Sequence, residues 1–233
     1  MASTPSTSGT QSYNPSLGDI TLQAFQMCGV RPTALTPEHM TSAFSAANMM
    51  LSTWAAKGIN LWKITPTTVS LVQGTAAYTV PASVVTILDC YVTVGTGTTS
   101  TDRYILPISR TEYASQPNKS TQGFPTTYWF DRLTSPTITF WPVPDGNEVS
   151  FTYYAVAQIQ DATLKNGALV DIPYYFLEAF LFGLAFRLSM IWAPQLSMGY
   201  KALADEAWTN AVTQNIETSQ IYISPTLAGY WRT

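Results

Sequence analysis

Apolar positions recur at helical spacing near both ends of this chain and at strand spacing between them. From Ser16 to Cys28, Leu17, Ile20, Ala24 and Met27 fall on one face and Gly29 follows, which predicts a first helix. The link VRPTAL reads as short and extended. A second helix has the clearest start: Thr36 as cap, Pro37 at the first helical position, Glu38 at the positive end. Met40, Phe44, Ala47, Leu51 and Trp54 give it one apolar stripe, and Gly58 supplies a left-handed stop.

From Ile59 the pattern changes to Thr, Val, Tyr and Ile punctuated by Gly and Pro. Strands are predicted at Thr67 to Val72, Ala77 to Val80, Val84 to Val94, Tyr104 to Ile108, Thr127 to Phe130, Thr137 to Trp141 and Val149 to Val156. VGTGTTSTD, from Val94 to Asp102, reads as a loop, and Thr111 to Pro125 as a long irregular connection. Asp145-Gly146-Asn147 reads as a turn between two strands. No helix-length crossover interrupts this block, so antiparallel pairing is expected throughout.

Helix returns near Asp171, read as a cap, with Pro173 in the first turn. Leu177, Leu181, Leu184, Leu188 and Ile191 form a wide stripe flanked by Phe176, Phe180 and Phe186. A helix this apolar is expected to be covered on most sides, and Glu178 and Arg187 argue for a buried helix over a membrane span. The last helix is expected over about Leu196 to Glu217, with Ala204, Ala207 and Ala211 as a narrow small-residue face.

The expected fold class is therefore α+β. A four-helix bundle forms from N- and C-terminal helix pairs (15–58 and 171–217). An antiparallel β-rich module (59–170) is inserted between them. A flexible Ser/Thr-rich arm (1–14) precedes the bundle and an extended C-terminal arm (218–233) follows it.

Composition narrows the function. Only 11% of the 233 residues are charged, while 46% are apolar, and the net charge is −3 with no basic run. Proteins that grip nucleic-acid phosphates need several Lys or Arg on one face, so tight nucleic-acid binding is disfavoured. A near-neutral wall is still compatible with a duplex passing through a ring. A surface rich in Ser, Thr, Asn, Gln, Tyr and Trp but poor in charge suits a protein that buries much of itself against partners.

Catalytic patterns are missing. His39 is the single histidine, and the two cysteines, Cys28 and Cys90, are far apart and read as small buried thiols. No His/Cys zinc set, phosphate loop or nucleophile elbow can be written. Asp205 and Glu206 are adjacent on a helix and point apart. The chain is read as a non-enzyme that needs no cofactor and has no catalytic or metal site.

Several segments in order carry a resemblance: Leu51 to Trp62 (LxxWxxxGxxLW), Tyr104 to Ser109, Glu112-Tyr113, Pro125 to Phe130, ITFWPVP from Ile138 to Pro144, and Leu169 to Arg187. This series resembles the head-to-tail adaptor proteins of tailed bacteriophages, especially the tail accessory or tail tubular proteins of short-tailed phages. The likeness covers roughly residues 16 to 220. It implies a ring, typically of twelve copies, beneath the portal protein of a DNA-filled capsid. The helical parts would line a channel for the packaged double-stranded DNA, and the β-rich insertion would lie where a tail nozzle or tail tube attaches. The chain would reside at the head–tail junction of the virion, after assembly in the host cytoplasm, with no membrane partner.

The resemblance also implies that residues 218–233 dock on the portal. Ile221-Tyr222-Ile223 alternates with polar residues and suits strand addition or a groove, and Tyr230-Trp231 offers aromatic anchors. The small face Ala204/Ala207/Ala211 permits close helix contact, within the bundle or between subunits. Two other readings stay open: a different neck or tail completion protein, and a carbohydrate-binding module using Trp129 and Trp141.

Overall fold

The computed structural model describes residues 8–10, 12–58, 61–163, 165 and 167–215. The fold is α+β, with helices at both ends of the chain and a β-rich region between them. The first helix, α1 (Leu17–Met27), starts at Ser16, whose hydroxyl accepts the Asp19 N–H while the Asp19 carboxylate accepts the Ser16 N–H. This reciprocal pair satisfies two helix-end donors. The second, α2 (Pro37–Ala56), begins at Thr36 in the same way, with His39 Nδ1 accepting the Thr36 N–H. His39 thus closes a cap, and its ring stacks on Trp192 and meets the edge of Phe25. The linker between these helices is not extended: Pro32–Ala34 winds one tight turn, which Pro at the first position favours.

The apolar stripe of α2 is rotated from the expected one. Ala43, Ala47, Met50, Leu51 and Trp54 are buried, whereas Phe44 faces outward. Ala47, Leu51 and Trp54 are as expected, while Ala43 and Met50 replace Met40 and Phe44, and Gly183 leaves room for Met50.

Two four-stranded sheets follow. The first contains β1 (Ile64–Ser70), β3 (Val84–Val94), β4 (Thr101–Tyr104) and β8 (Glu148–Ala157), in the order β1-β8-β3-β4, all antiparallel. The second contains β2 (Ala77–Thr79), β5 (Leu106–Pro107), β6 (Thr127–Phe130) and β7 (Thr137–Trp141), in the order β2-β7-β6-β5. The facing sides share one core, in which Cys90, Val92, Phe151, Tyr153, Tyr128, Ile138 and Phe140 are buried. Phe140 and Phe151 meet edge to face across it, at 4.8 Å between ring centroids.

Four expectations for this region are corrected. The segment Tyr104 to Ile108 is not one strand: the chain changes sheets at Ile105, which is fully buried and donates its N–H to the Cys90 carbonyl, while Leu106 donates to Thr126. The VGTGTTSTD segment is not all loop, because Thr101 and Asp102 pair with Val94 and Thr93 to close a β3–β4 hairpin. The segment from Thr111 to Pro125 carries most of a short helix, α3 (Arg110–Ser115), capped by Ser109 and Glu112. Pairing is not wholly antiparallel, since β5 runs parallel to β6 and the α3 segment provides the crossover. The Asp145-Gly146-Asn147 turn is present, with the Asn147 N–H on Asp145 Oδ1, and it carries the chain from the second sheet back to the first.

The remaining helices are α4 (Leu177–Trp192) and α5 (Ser197–Gln214). A single-turn helix, Tyr174–Phe176, precedes α4, so Asp171 does not cap α4 and Pro173 does not lie in its first turn, contrary to the expectation from sequence. Pro173 begins the short turn, and the Asp171 carboxylate is engaged elsewhere.

α4 packs against α1, α2 and α5. This explains its all-round apolar character, which with the preceding turn also has the length and hydropathy of a membrane span. Phe180, Leu184 and Leu188 are fully buried, Leu177 and Leu181 half-buried, and Ile191 is exposed. Gly183 sits where a Cβ would lie 2.6 Å from Met50 Sδ, so the lack of a side chain lets α2 approach α4.

Candidate interaction surfaces

Side-chain contacts give the helices their direction. Tyr200 at the start of α5 donates its hydroxyl to the Met27 carbonyl at the end of α1. His39 at the start of α2 stacks on Trp192 at the end of α4. Trp54 near the end of α2 lies against Phe176 and Trp208. α1 and α4 therefore both lead away from the β-rich region, and α2 and α5 lead back toward it.

The two regions are tied at Asp171. Its Oδ2 accepts Lys63 Nζ at 2.7 Å and the Gln160 N–H at 3.0 Å, and its carbonyl accepts Trp62 Nε1 at 3.3 Å. Lys63 precedes β1 and Gln160 follows β8, so one carboxylate holds both ends of the insertion. This is the one ion pair among the described residues. A second tie runs from Asn48 on α2, whose amide both donates to and accepts from the Ala162 backbone.

Between α1 and the start of α4 lies an open groove of about 880 Å³. Ile20 and Gln23 line one side, Tyr174, Leu177, Glu178, Leu181 and Phe182 the other, and Tyr13 and Pro15 one edge. Tyr13 and Tyr174 are more than three-quarters exposed. Tyr175, next to Tyr174, has its hydroxyl 3.1 Å from Asn215 Oδ1, so the residue after α5 is held beside the groove. At the opposite end of the helices, Met190, Ile191, Leu196 and Met198 form an exposed apolar corner where α4 turns into α5. The sequence reading missed both surfaces. Helical spacing identifies which residues are apolar, and the three-sided packing of α4 decides which of them stay uncovered.

The outer face of α2 is polar and uncharged, with Thr41, Ser45, Asn48, Ser52 and Thr53 beside Phe44, Met49 and Arg187. Burial lowers the Arg187 pKa below the usual guanidinium range. No carboxylate pairs with it among the described residues.

Of the residues singled out from sequence, Ile221, Tyr222, Ile223, Tyr230 and Trp231 lie outside the described residues. Ala207 and Ala211 are buried in the helical core of the chain itself, and Ala204 is half-buried. Trp129 stacks on Tyr113 with ring planes 23° apart, and Trp141 Nε1 donates to the Asn118 carbonyl at 3.0 Å. Both tryptophans hold the α3 segment against the second sheet. Cys28 and Cys90 are buried free thiols, and burial pushes Cys90 up to about 12. Among the described residues, no three His, Cys, Asp or Glu side chains converge on a possible metal position.

The described chain thus combines a helical region, a two-sheet insertion, exposed apolar surface and little charge. The SU10 adaptor protein family matches residues 31–226, well over half of the chain, and the chain belongs to that family. The match includes α2, the whole insertion and both final helices. No curated protein matches the chain. Family membership points to a head-to-tail adaptor role in a phage particle, with portal and tail components as the interacting class.

Proposed function

We propose that this chain is a structural subunit of a head-to-tail adaptor ring, typically of twelve copies, seated below the portal of a tailed phage. It joins the portal to a tail nozzle or tube and helps retain and conduct the packaged DNA. The observation that carries this reading is the adaptor-family match spanning α2 through α5 and the insertion between them. Three features support it. Charge is scarce and no basic run exists, as suits a channel wall that lets a duplex slide. Among the described residues, nothing covers the apolar surface of the α1/α4 groove or of the α4–α5 corner. Asp171 clamps the two ends of the β-rich region onto the helices, which favours a fixed projection over a swinging one.

In this reading the helices line the ring, the two-sheet insertion faces the tail parts, and residues 218–233 dock on the portal. The expected site is the portal vertex of the virion. The test is co-sedimentation with portal rings from the same phage. The full chain is expected to travel with the portal, and a chain ending at Asn215 is expected to stay behind while remaining folded. Undiminished portal binding by the shortened chain would remove the docking role from that segment. Failure of the full chain to bind would remove the adaptor reading.

A further inference from the structure

We propose that the groove between α1 and α4 is the seat of the chain's own C-terminal segment around Ile221–Ile223 in the free subunit. Asn215 follows α5 and is held by the Tyr175 hydroxyl, and the adjacent Tyr174 forms the near wall of the groove. The end of α5 is therefore tied to the same short turn that supplies Tyr174 to the groove wall.

Reach agrees with this placement. Six residue steps separate Asn215 from Ile221, a span of up to ~20 Å when extended. From Tyr174 to Phe182 the groove wall covers eight helical steps, about 12 Å. The segment reaches the whole groove without strain and without help from a second copy.

Chemistry agrees as well. Leu177, Leu181 and Phe182 offer half-buried apolar surface, and Glu178 is the only carboxylate among the described residues of the lining. Ile221-Tyr222-Ile223 carries no charge and alternates with polar neighbours, so one face can enter an apolar channel while the other faces water. Tyr13 and Tyr174, both largely exposed, stand at the edges as aromatic flanks for such a strip.

The consequence concerns assembly. Ile221–Ile223 seated in the groove is withheld from pairing with strands of other copies. A portal site then has to compete for the segment, and binding there opens the α1/α4 groove. The inference shares its segment with the proposed portal docking but concerns the portal-free state, so either can fail without the other.

The test uses a cysteine pair, Gln23→Cys with Ile221→Cys, in the full chain, because Ile221 lies on the face of the strip that enters the groove. The native thiols are buried and stay out of the reaction. Mild oxidation of the monomer is expected to give an intramolecular disulfide at a yield independent of protein concentration. Hydrogen exchange gives a second readout without the pair. The amides of Ile20 to Gln23 and those of Tyr174 to Phe182, which line the groove, are expected to exchange at least threefold faster in a chain ending at Asn215, and in full-length Ile221→Glu, than in the native chain. Equal exchange in all three forms, with no intramolecular bond, overturns the proposal. A disulfide that appears only between chains and grows with concentration also overturns it, by assigning the groove to a neighbour's segment.

Discussion

Replacing Asp171 by Ala removes the carboxylate that holds both ends of the insertion, and the cost can be worked from its contacts. Two bonds are lost, Lys63 Nζ at 2.7 Å and the Gln160 N–H at 3.0 Å, while the Trp62 bond to the Asp171 carbonyl survives. A hydrogen bond to a charged group contributes about 1.5–3 kcal/mol net when well shielded. The side chains of Lys63 and Asp171 are 18% and 27% exposed, and Gln160 is exposed, so water replaces part of what is lost. The expected destabilisation is about 2 kcal/mol for Asp171→Ala and about 1 kcal/mol for Lys63→Met, which keeps the apolar stem and leaves the Gln160 bond intact.

The pair is expected to couple by about 1 kcal/mol in a double-mutant cycle measured by urea unfolding, with a smaller value in 1 M salt. For a chain of this length, ~2 kcal/mol corresponds to a fall in Tm of about 4–8 °C. A cost for Asp171→Ala below about 0.5 kcal/mol, together with no coupling, would refute the idea that this carboxylate fastens the two regions together.

Three further outcomes are expected. Tyr128→Phe in the β core should leave stability unchanged or raise it by about 1 kcal/mol, because the hydroxyl is buried without a hydrogen-bond partner among the described residues; a clear loss on chemical denaturation would reveal a partner. Cys90, raised from about 9 to about 12 by burial, keeps its proton in the folded chain where the unfolded chain loses it. Its linkage leaves stability flat below about pH 9 and lowers it as pH rises toward 12, by up to about 1.4 kcal/mol per unit. Cys90→Ala should remove that slope, and an undiminished slope would assign it to other groups. Gly183→Ala gains about 1 kcal/mol of helix propensity but drives a methyl onto Met50 Sδ, at an overpacking cost of about 1–3 kcal/mol. The net is expected to be a loss of about 1 kcal/mol in thermal unfolding, and a stabilised variant would show that Met50 moves aside freely.

Much of the architecture was legible in the sequence because local chemistry and tertiary packing agree there. Ser16, Thr36 and Pro37 carry their helix starts in their own side chains, and β3, β6 and β7 run between the residues expected from the Thr/Val/Tyr pattern. The misreadings arise where a distant partner decides. Asp171 has the form of a cap, yet Lys63 and Gln160 claim its carboxylate, a link across more than a hundred residues on one side. Ile105 belongs to an apparently continuous strand until the chain changes sheets there, and alternation carries no mark of which sheet a residue joins. The stripe on α2 keeps Ala47, Leu51 and Trp54 but takes in Met50, for which Gly183 leaves room.

The candidate surfaces were less legible for the same reason. Ala207 and Ala211 read as a small face open to either use, and they pack inside the chain's own helical core. The α1/α4 groove and the α4–α5 corner depend on which sides of an all-round apolar helix remain uncovered, and no periodicity encodes that. The adaptor resemblance rested on the order of short motifs, and the family match over residues 31–226 supports it at that level.

The central claim is that this chain builds a ring on a portal. Electron microscopy of the full chain mixed with portal complexes from the same phage tests it most directly. The account predicts an added cylinder of density below the portal, one copy per portal subunit, with the helical region toward the channel and the two-sheet region outward. Bare portals beside unbound chain, at concentrations that saturate the mixture, would contradict it.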